Sequence, residues 1–270
     1  MPKFICIEGL DGTGKNTIAR AIVDELTQQG WKVQLWSFPD YESPTGIIIR
    51  NALNGVYGDF VKMSPEFCSE LYALDRLAYI KEHPVDENVD FYILDRSYFS
   101  NFMYQGCKIR ESDKIAGNNT VIRFLNWLSM QYEYEFIYTG LDKYVDNFRV
   151  IYLYISEEDR KKQIENRSHL DLHESNSEYL SQVAAFTSDW VFSDKSDMAF
   201  SIGRHISKHF DSLARTWSKD GINIVKCYKK NVFSVEIQHY TDENKDEVMY
   251  DNITEVLKVL RESFNRGDDE

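Results

Sequence analysis

Short apolar runs alternate with longer amphipathic segments along this chain. The first run, residues 3–8, ends at Gly9, as a buried parallel strand would. Later runs with the length and composition of strands are residues 31–38, 91–94, 149–155, 222–227 and 232–240. Strands separated by helix-length segments indicate crossover units, and therefore a parallel sheet with helices on both faces.

Three of the intervening segments have the periodicity of helices. Residues 15–29 place apolar positions on one helix face and end at Gly30, a residue typical of helix C-termini. Residues 65–82 have a similar pattern, which Pro84 brings to an end. Apolar residues also repeat at helix spacing within residues 171–219, and this repeat is typical of packing against a core.

The segment between the first strand and the first helix reads Gly-Leu-Asp-Gly-Thr-Gly-Lys-Asn-Thr, from Gly9 to Thr17. Glycines let the backbone curl so that several N–H groups point at one anion. The following helix adds its positive end, and Lys15 supplies a mobile charge for the outer phosphates. The pattern therefore predicts a nucleotide phosphate site. The residues predicted to form it are Gly9, Asp11, Gly12, Thr13, Gly14, Lys15, Asn16 and Thr17.

One position of this phosphate loop departs from the usual pattern. The residue after the lysine is normally Ser or Thr, whose hydroxyl ligates magnesium, and here it is Asn16. An amide oxygen can also ligate Mg²⁺ or hold its water, and Thr17 stands next in the sequence. The alternative is a decayed loop in an inactive protein.

Four further motifs follow the phosphate loop. They are Phe38-Pro39-Asp40-Tyr41-Glu42-Ser43-Pro44-Thr45-Gly46 with Ile49-Arg50 and Leu53-Asn54-Gly55; Leu71-Tyr72-Ala73-Leu74-Asp75-Arg76; Asp95-Arg96 with Ser100-Asn101 and Tyr104-Gln105-Gly106; and Arg167 with Leu170-Asp171 and Glu174. With the aspartate of the phosphate loop, these motifs resemble those of the thymidylate kinase family, in the same order and over about residues 3–190.

The resemblance implies an α/β protein with the P-loop NTPase fold. We expect three layers, with a central parallel sheet of about five strands flanked by helices, and a C-terminal extension. A single kinase domain would cover residues 1–270, with a helical lid at about residues 156–176. Residues from about 190 to 221 exceed the usual family length and would form a helical insertion.

The resemblance also implies an activity. ATP with Mg²⁺ would phosphorylate dTMP, or a closely related pyrimidine deoxynucleoside monophosphate, by in-line transfer. The catalytic residues would be Lys15, Asp95, Arg96 and Arg167. The metal would be held by Asn16 and Asp95. The acceptor would be bound by Asp11, Phe38, Pro39, Tyr72, Arg76, Arg96, Ser100, Asn101, Tyr104 and Gln105.

Each implied role has a chemical reason. Asp11 would accept a hydrogen bond from the 3′-hydroxyl of the acceptor sugar, and Arg96 would bind the α-phosphate in a bidentate manner. Asp95, at the end of a strand, would orient Mg²⁺ or its waters. Tyr72 lies one helix turn before Arg76, so its ring could stack on a base while the arginine donates to the O4 edge.

Several positions depart from the family pattern and leave alternatives open. Ser97 stands where the family usually has tyrosine, so the motif also resembles the Glu-Arg-Ser of deoxynucleoside kinases. Gln163 and Leu172 occupy two frequent positions of lid arginines, which leaves Arg167 as the first candidate and Arg160 as the second. Few lid arginines and an altered phosphate loop are also typical of a catalytically weak regulatory protein that binds nucleotides.

Composition restricts the partners and the compartment. The net charge of −13 opposes binding to nucleic acid, and no apolar run is long enough to span a membrane. The four cysteines, Cys6, Cys68, Cys107 and Cys227, form neither a CxxC pair nor a disulfide framework. We therefore expect a reducing, cytoplasmic environment. The family resemblance suggests a homodimer.

Overall fold

The computed structural model of the protein describes residues 1–112, 118–165, 176–187, 232–238 and 244–265. The predicted strand at residues 222–227 and the predicted insertion at about residues 190–221 lie outside the described residues. So does the later part of the predicted lid, which includes Arg167.

The described strands form one parallel sheet, as predicted. The strands are β1 (Lys3–Gly9), β2 (Val33–Ser37), β3 (Phe91–Asp95), β4 (Phe148–Tyr154) and β5 (Val232–Glu236). Their order across the sheet is β2-β3-β1-β4-β5. β1 is therefore central, and chain segments that are distant in sequence meet at its carboxyl end.

Helices cover both faces of the sheet. They are α1 (Lys15–Gln28), α2 (Pro44–Leu53), α3 (Pro65–Glu82), α4 (Phe99–Ser112), α5 (Asn118–Thr139), α6 (Glu157–Glu165), α7 (Ser177–Phe186) and α8 (Lys245–Asn265), with 3-10 turns at Phe60–Lys62 and Asp142–Asn147. The predicted helix at residues 65–82 is confirmed. The helical pattern at residues 171–219 is described only in part, as α7.

The two faces of β1 contact separate hydrophobic cores, because side chains alternate along a strand. Phe4 and Cys6 pack with residues of α3, α4, α5 and α7 on one face. Ile5 and Ile7 pack with residues of α1 and α8 on the other. Full burial of one such isoleucine or phenylalanine stabilises the fold by about 1.5–3 kcal/mol. This arrangement confirms the predicted three layers.

The second strand is shorter than the predicted residues 31–38. The N–H of Gly30 donates to Thr27 O at 3.0 Å, and that of Trp31 donates to Leu26 O at 3.1 Å. This pair of bonds closes a helix in the Schellman manner, with Gly30 at a φ of 90°. Trp31 therefore belongs to the end of α1, and β2 begins at Val33.

The last strand is also shorter than its pattern predicts, since β5 ends at Glu236. The Ile237 N–H still donates to Tyr154 O of β4. Gln238 then exchanges two hydrogen bonds with the Asn252 side chain of α8, at 2.8 and 3.0 Å. A side chain of α8 thus replaces the neighbouring strand as the hydrogen-bonding partner of this segment.

Candidate active site

The phosphate loop connects the central strand to α1. Gly14 precedes α1 with a φ of 72°, and no side chain caps the helix. The first N–H groups of a helix have no partner within it, so those of α1 are available to an anion. A Cβ atom on Gly12 would lie 2.8 Å from Arg160 O, which explains why glycine stands there. The loop therefore packs closely on α6.

Lys15 is buried within this loop. Its Nζ donates to Leu10 O at 2.7 Å and lies 3.8 Å from Asp11 Oδ1. Burial, followed by the positive charge of Arg96, lowers the pKa of Lys15 to about 8. The ammonium group therefore loses its proton much closer to neutral pH than an ordinary lysine does.

Asn16 and Asp95, the two predicted metal ligands, contact each other. Asn16 Nδ2 donates to Asp95 Oδ2 at 2.8 Å, and Asn16 Oδ1 accepts from Arg20 Nε at 3.0 Å. Ser37 Oγ also donates to Asp95 Oδ2, at 3.3 Å. Among the residues that the structure describes, none donates a hydrogen bond to Asp95 Oδ1.

This donor set fits magnesium at Asp95. Proteins commonly bind Mg²⁺ through one or two carboxylates together with substrate phosphates and water. The open oxygen of Asp95 is such a ligand at the edge of the phosphate loop. Metal ligation by Asn16 stays a prediction, because its oxygen here accepts from Arg20. The described ranges contain no cluster of three or more His, Cys, Asp or Glu residues suited to a metal.

Arg96 lies next to the phosphate loop and pairs with Asp11. Arg96 Nη2 donates to Asp11 Oδ1, and Tyr104 Oη donates to Asp11 Oδ2 at 2.9 Å. Although burial opposes its charge, the carboxylate of Asp11 raises the pKa of Arg96 above its ordinary value. Burial, with Asp11 second, also raises the pKa of Tyr104. Arg96 therefore stays cationic, and Tyr104 stays a neutral hydrogen-bond donor.

One cavity joins this cluster to the middle of α3 and the first half of α4. It contains about 630 Å³ of empty space, including its open mouth. The lining residues are Asp11, Phe38, Pro39, Tyr41, Leu53, Phe60, Tyr72, Arg76, Arg96, Ser97, Ser100, Asn101, Tyr104 and Gln105. Every residue predicted to bind the acceptor is among them.

Arg76 lines the same cavity from α3. Its Nε and Nη2 donate to the two carboxylate oxygens of Glu135 in α5, at 2.5 and 2.9 Å. Both side chains are 5% exposed. Burial opposes the charge of Arg76, but Glu135 raises its pKa above the ordinary value. The third nitrogen, Nη1, has no hydrogen-bond partner within the described part of the chain.

Gln105 adds an unusual acceptor to the same cavity. Its side chain is 1% exposed, and Oε1 is buried without a hydrogen bond from any described residue. A buried polar atom of this kind costs free energy unless a ligand or water satisfies it. Arg76 and Gln105, which both line the cavity, therefore carry a donor and an acceptor that no described residue pairs.

The loop that contains Phe38 and Pro39 is fixed by Asp75, the neighbour of Arg76. Asp75 accepts from the Asp40 N–H at 2.9 Å and from Thr45 Oγ1 at 2.8 Å. A Cβ atom on Gly46 would lie 1.8 Å from Asp40 O, so only glycine fits there. One helix thus positions the arginine and also holds the apolar loop on the other side of the cavity.

Only one of the two predicted lid arginines lies within the described residues. Arg160, the second candidate, is buried in α6, and its Nη1 lies 3.4 Å from Asp11 O. Its side chain therefore contacts the backbone of the phosphate loop from α6. Arg167, the first candidate, lies outside the described residues, and its role stays a prediction.

Four residues that line the cavity were not predicted from the sequence to bind the acceptor. The four are Tyr41, Leu53, Phe60 and Ser97. The ion pair of Arg76 with Glu135 was not predicted either. A signal for Glu135 was present, because it shares a helix face with Leu128 and Tyr132, both of which are buried. A charged residue on such a face needs a buried partner.

Comparison with known proteins supports the resemblance over the first part of the chain. Residues 7–116 match the family model described as thymidylate kinase. A probable thymidylate kinase of Archaeoglobus fulgidus is 35% identical over 122 residues, which cover 42% of this chain and 58% of that protein. A thymidylate kinase of Mycobacterium tuberculosis is 33% identical over 113 residues, which cover 40% of this chain and 51% of that protein. The matched region thus spans little more than half of these relatives.

The fold is similar over a longer range. A solved structure of thymidylate kinase from Candida albicans aligns with a TM-score of 0.53 at 16% identity, covering 99% of this chain and 92% of that one. At this identity the similarity shows the fold alone, and it confirms the predicted P-loop NTPase fold. Within the described ranges, no helix is long and apolar enough to cross a membrane.

Proposed function

We propose that this chain, whose residues 7–116 match the thymidylate kinase family, transfers the γ-phosphoryl group of ATP to the α-phosphate of dTMP or a closely related pyrimidine deoxynucleoside monophosphate. One observation carries the proposal. Arg76 and Arg96 line one cavity, and Asp11 of the phosphate loop lines it as well and pairs with Arg96. The base of a nucleoside monophosphate would bind Arg76, its sugar hydroxyl would bind Asp11, and its phosphate would bind Arg96.

Binding of the acceptor phosphate would change the partner of Arg96. In the described structure the guanidinium is paired with Asp11. A phosphate has a larger charge and accepts bidentate bonds, so it would displace this carboxylate. Asp11 would then be available to the sugar hydroxyl, while Tyr104 continues to donate to its second oxygen.

The base would be recognised by the donor on Arg76 and the acceptor on Gln105. Nη1 of Arg76 would donate to O4 of thymine or uracil, and Oε1 of Gln105 would accept from N3–H. Cytosine has the reverse pattern, with an amino donor at position 4 and an acceptor at N3. The site would therefore leave buried groups unpaired with dCMP, which costs affinity. Tyr72 and Phe38 would cover the faces of the ring.

The donor would bind at the start of α1. The N–H groups of its first turn and Lys15 would contact the β- and γ-phosphates. Asp95 would hold Mg²⁺ through its open oxygen or through water, and the ion would neutralise charge on the phosphates. Such chemistry depends on positioning and charge neutralisation, so no nucleophilic side chain is required.

An exposed apolar surface supports a homodimer. It lies on α3 and α5, where Lys81 Nζ lies over the Tyr138 ring at 5.1 Å and so joins the two helices. Its exposed apolar residues are Phe67, Leu74, Met130, Tyr134, Ile137 and Tyr138. Large exposed apolar patches of this kind mark interaction sites. We refer to these six residues as the α3–α5 surface.

The charges along α3 favour a second copy as the occupant of this surface. Glu66 and Glu70 lie near the start of the helix, Lys81 lies near its end, and Leu74 lies midway. Two antiparallel copies about a two-fold axis at Leu74 would place Glu66 and Glu70 of one copy near Lys81 of the other. Leu74→Glu should convert a dimer to a monomer in sedimentation velocity, whereas Val56→Glu, on an exposed loop, should not. If the two variants have the same oligomeric state, the proposed dimer surface is wrong.

A cytoplasmic location is part of the same proposal. Cys6, Cys68 and Cys107 are buried and form no disulfide with one another, which is typical of a reducing compartment. Fractionation of cells that express the full chain with a small epitope tag would test it.

A panel of nucleoside monophosphates tests the substrate assignment. Turnover with ATP and Mg²⁺ should be highest with dTMP, lower with dUMP, and reduced about 100-fold with dCMP, because the donor and acceptor of the pocket are then mismatched. Equal turnover with dCMP and dTMP would show that Arg76 and Gln105 do not read the base.

A further inference from the structure

Glu8 is an ionisable residue in a strand that is buried along almost its whole length. It lies in β1, one residue before the phosphate loop begins, and it is 0% exposed. Burial raises the pKa of this carboxyl, and Arg96 opposes that shift. A buried carboxylate is costly unless its oxygens are satisfied, so its partners indicate what it does.

Among the described residues, the donors to the Glu8 carboxylate are Ser97, in the turn between β3 and α4, and Ser100, in the first turn of α4. Oε1 accepts from the Ser97 N–H at 2.7 Å and from Ser97 Oγ at 2.8 Å. Oε2 accepts from Ser100 Oγ at 2.9 Å. Ser97 Oγ in turn accepts from the Phe99 N–H at 3.2 Å, at the start of α4. One side chain of β1 thus ties together the whole turn.

The residue between β3 and this turn is Arg96, and its backbone is unusual. Its φ is 68°, and it is the one non-glycine residue with positive φ among those described. Residues other than glycine adopt this conformation when surrounding contacts impose it, often at functional sites. The Arg96 N–H donates to Ile7 O at 3.1 Å, and the next N–H, of Ser97, donates to Glu8. Consecutive residues of β1 therefore fix the backbone on both sides of the Arg96 Cα atom.

We infer that Glu8 and Ser97 are positioning residues for Arg96, and that they aim its guanidinium at the phosphate of the acceptor. The inference rests on the proposed function and extends it to two residues that act through Arg96. It also gives a reason for serine at position 97, where the family usually has tyrosine. Only a small hydroxyl fits between Glu8 and the first N–H groups of α4, since Ser97 is 3% exposed and contacts both.

The role is geometric, which separates it from general acid–base chemistry. Both oxygens of Glu8 are used as hydrogen-bond acceptors, and none of its surface reaches the cavity. A glutamine can still accept both bonds from Ser97 with its carbonyl oxygen, and the Ser100 hydroxyl can turn to accept from its amide. Glu8→Gln should therefore retain the position of Arg96, whereas Glu8→Leu should lose it.

Equilibrium binding of dTMP and thymidine tests the inference, because the two ligands differ only in the phosphate. Glu8→Leu and the milder Ser97→Ala should weaken dTMP binding about tenfold, while thymidine binding and the KM for ATP stay within about twofold. The conservative variants Glu8→Gln and Ser97→Thr should bind dTMP as tightly as the unmodified chain does. In an Arg96→Ala background, Glu8→Leu should cause no further loss. Asn252→Ala, which removes buried hydrogen bonds on α8 far from the cavity, is the matched control for stability.

Two results would overturn the inference. One is an equal loss of dTMP and thymidine binding in Glu8→Leu or Ser97→Ala. The other is a loss that persists in the Arg96→Ala background. If the unmodified chain binds neither ligand, the proposed function fails, and crystal structures of the variants still decide the inference. Arg96 should then leave the positive-φ region in Glu8→Leu, or in Ser97→Ala if the first variant does not fold, and a retained positive φ would refute the role.

Discussion

Removal of the Glu135 carboxylate should reduce both stability and recognition of the base. The guanidinium of Arg76 is buried and donates two charge-assisted hydrogen bonds to Glu135, at 2.5 and 2.9 Å. Glu135→Ala leaves that charge in the interior without its partner. Breaking a buried ion pair from one side costs about 3–5 kcal/mol. With a urea m value of about 3 kcal/mol/M, the unfolding midpoint should fall by about 1 M or more.

Urea unfolding followed by circular dichroism measures the stability loss, with Glu82→Ala as the control. Glu82 is an exposed glutamate at the end of α3, so its removal should change stability by no more than about 0.5 kcal/mol. The double variant Arg76→Met/Glu135→Leu should be more stable than Glu135→Ala, because it leaves no unpaired charge.

Kinetics separate the base-binding role from the structural one. Because Glu135 holds Arg76, which lines the cavity proposed for the acceptor, kcat/KM for dTMP should fall in Glu135→Ala while the KM for ATP is maintained. The reasoning is refuted if Glu135→Ala unfolds at the same urea concentration as Glu82→Ala. It is also refuted if ATP and dTMP are affected equally in protein that remains folded.

Three further predictions follow from the site. The affinity for ATP should fall as the pH rises through about 8, because Lys15 loses its proton in the free chain. The loss should approach about tenfold per pH unit and be absent in Lys15→Arg, and a flat profile of the unmodified chain in ATP titrations would contradict it. Asn16→Leu should raise the Mg²⁺ concentration required for turnover and Asn16→Thr should not, whereas identical Mg²⁺ titrations would make Asn16 a spectator. Gln105→Leu should reduce the preference for dTMP over dCMP by about tenfold or more, and an unchanged ratio of kcat/KM values would refute its role.

Much of the fold and the cavity follows from local patterns in the sequence. The apolar run of β1, the glycines after it and the helix periodicity of α1 are short-range signals. Strand ends such as Ser37 and Asp95 are paired in register, so the motifs that follow them converge at one edge of the sheet. This topology explains why every residue predicted to bind the acceptor lines one cavity.

The remaining features depend on long-range pairing, which no local pattern encodes. Glu135 stands 59 residues after Arg76, and Ser97 stands 89 residues after Glu8. Other polar residues lie nearer to each of these residues in the sequence. Only the tertiary packing decides which residue becomes the hydrogen-bond partner. The Asn16 amide combines both kinds of contact, because Arg20 lies one helix turn away in α1 whereas Asp95 stands 79 residues further along the chain.

The central claim is that the cavity between Arg76 and Arg96 holds a pyrimidine deoxynucleoside monophosphate that accepts a phosphoryl group. The most direct measurement is separation of the products after the purified chain is incubated with ATP, Mg²⁺ and either dTMP or thymidine. Formation of dTDP and ADP from dTMP, with no product from thymidine, is the result that we predict, and Arg96→Ala should abolish it. Formation of dTMP from thymidine, or no transfer to dTMP at any Mg²⁺ concentration, would contradict the proposed function.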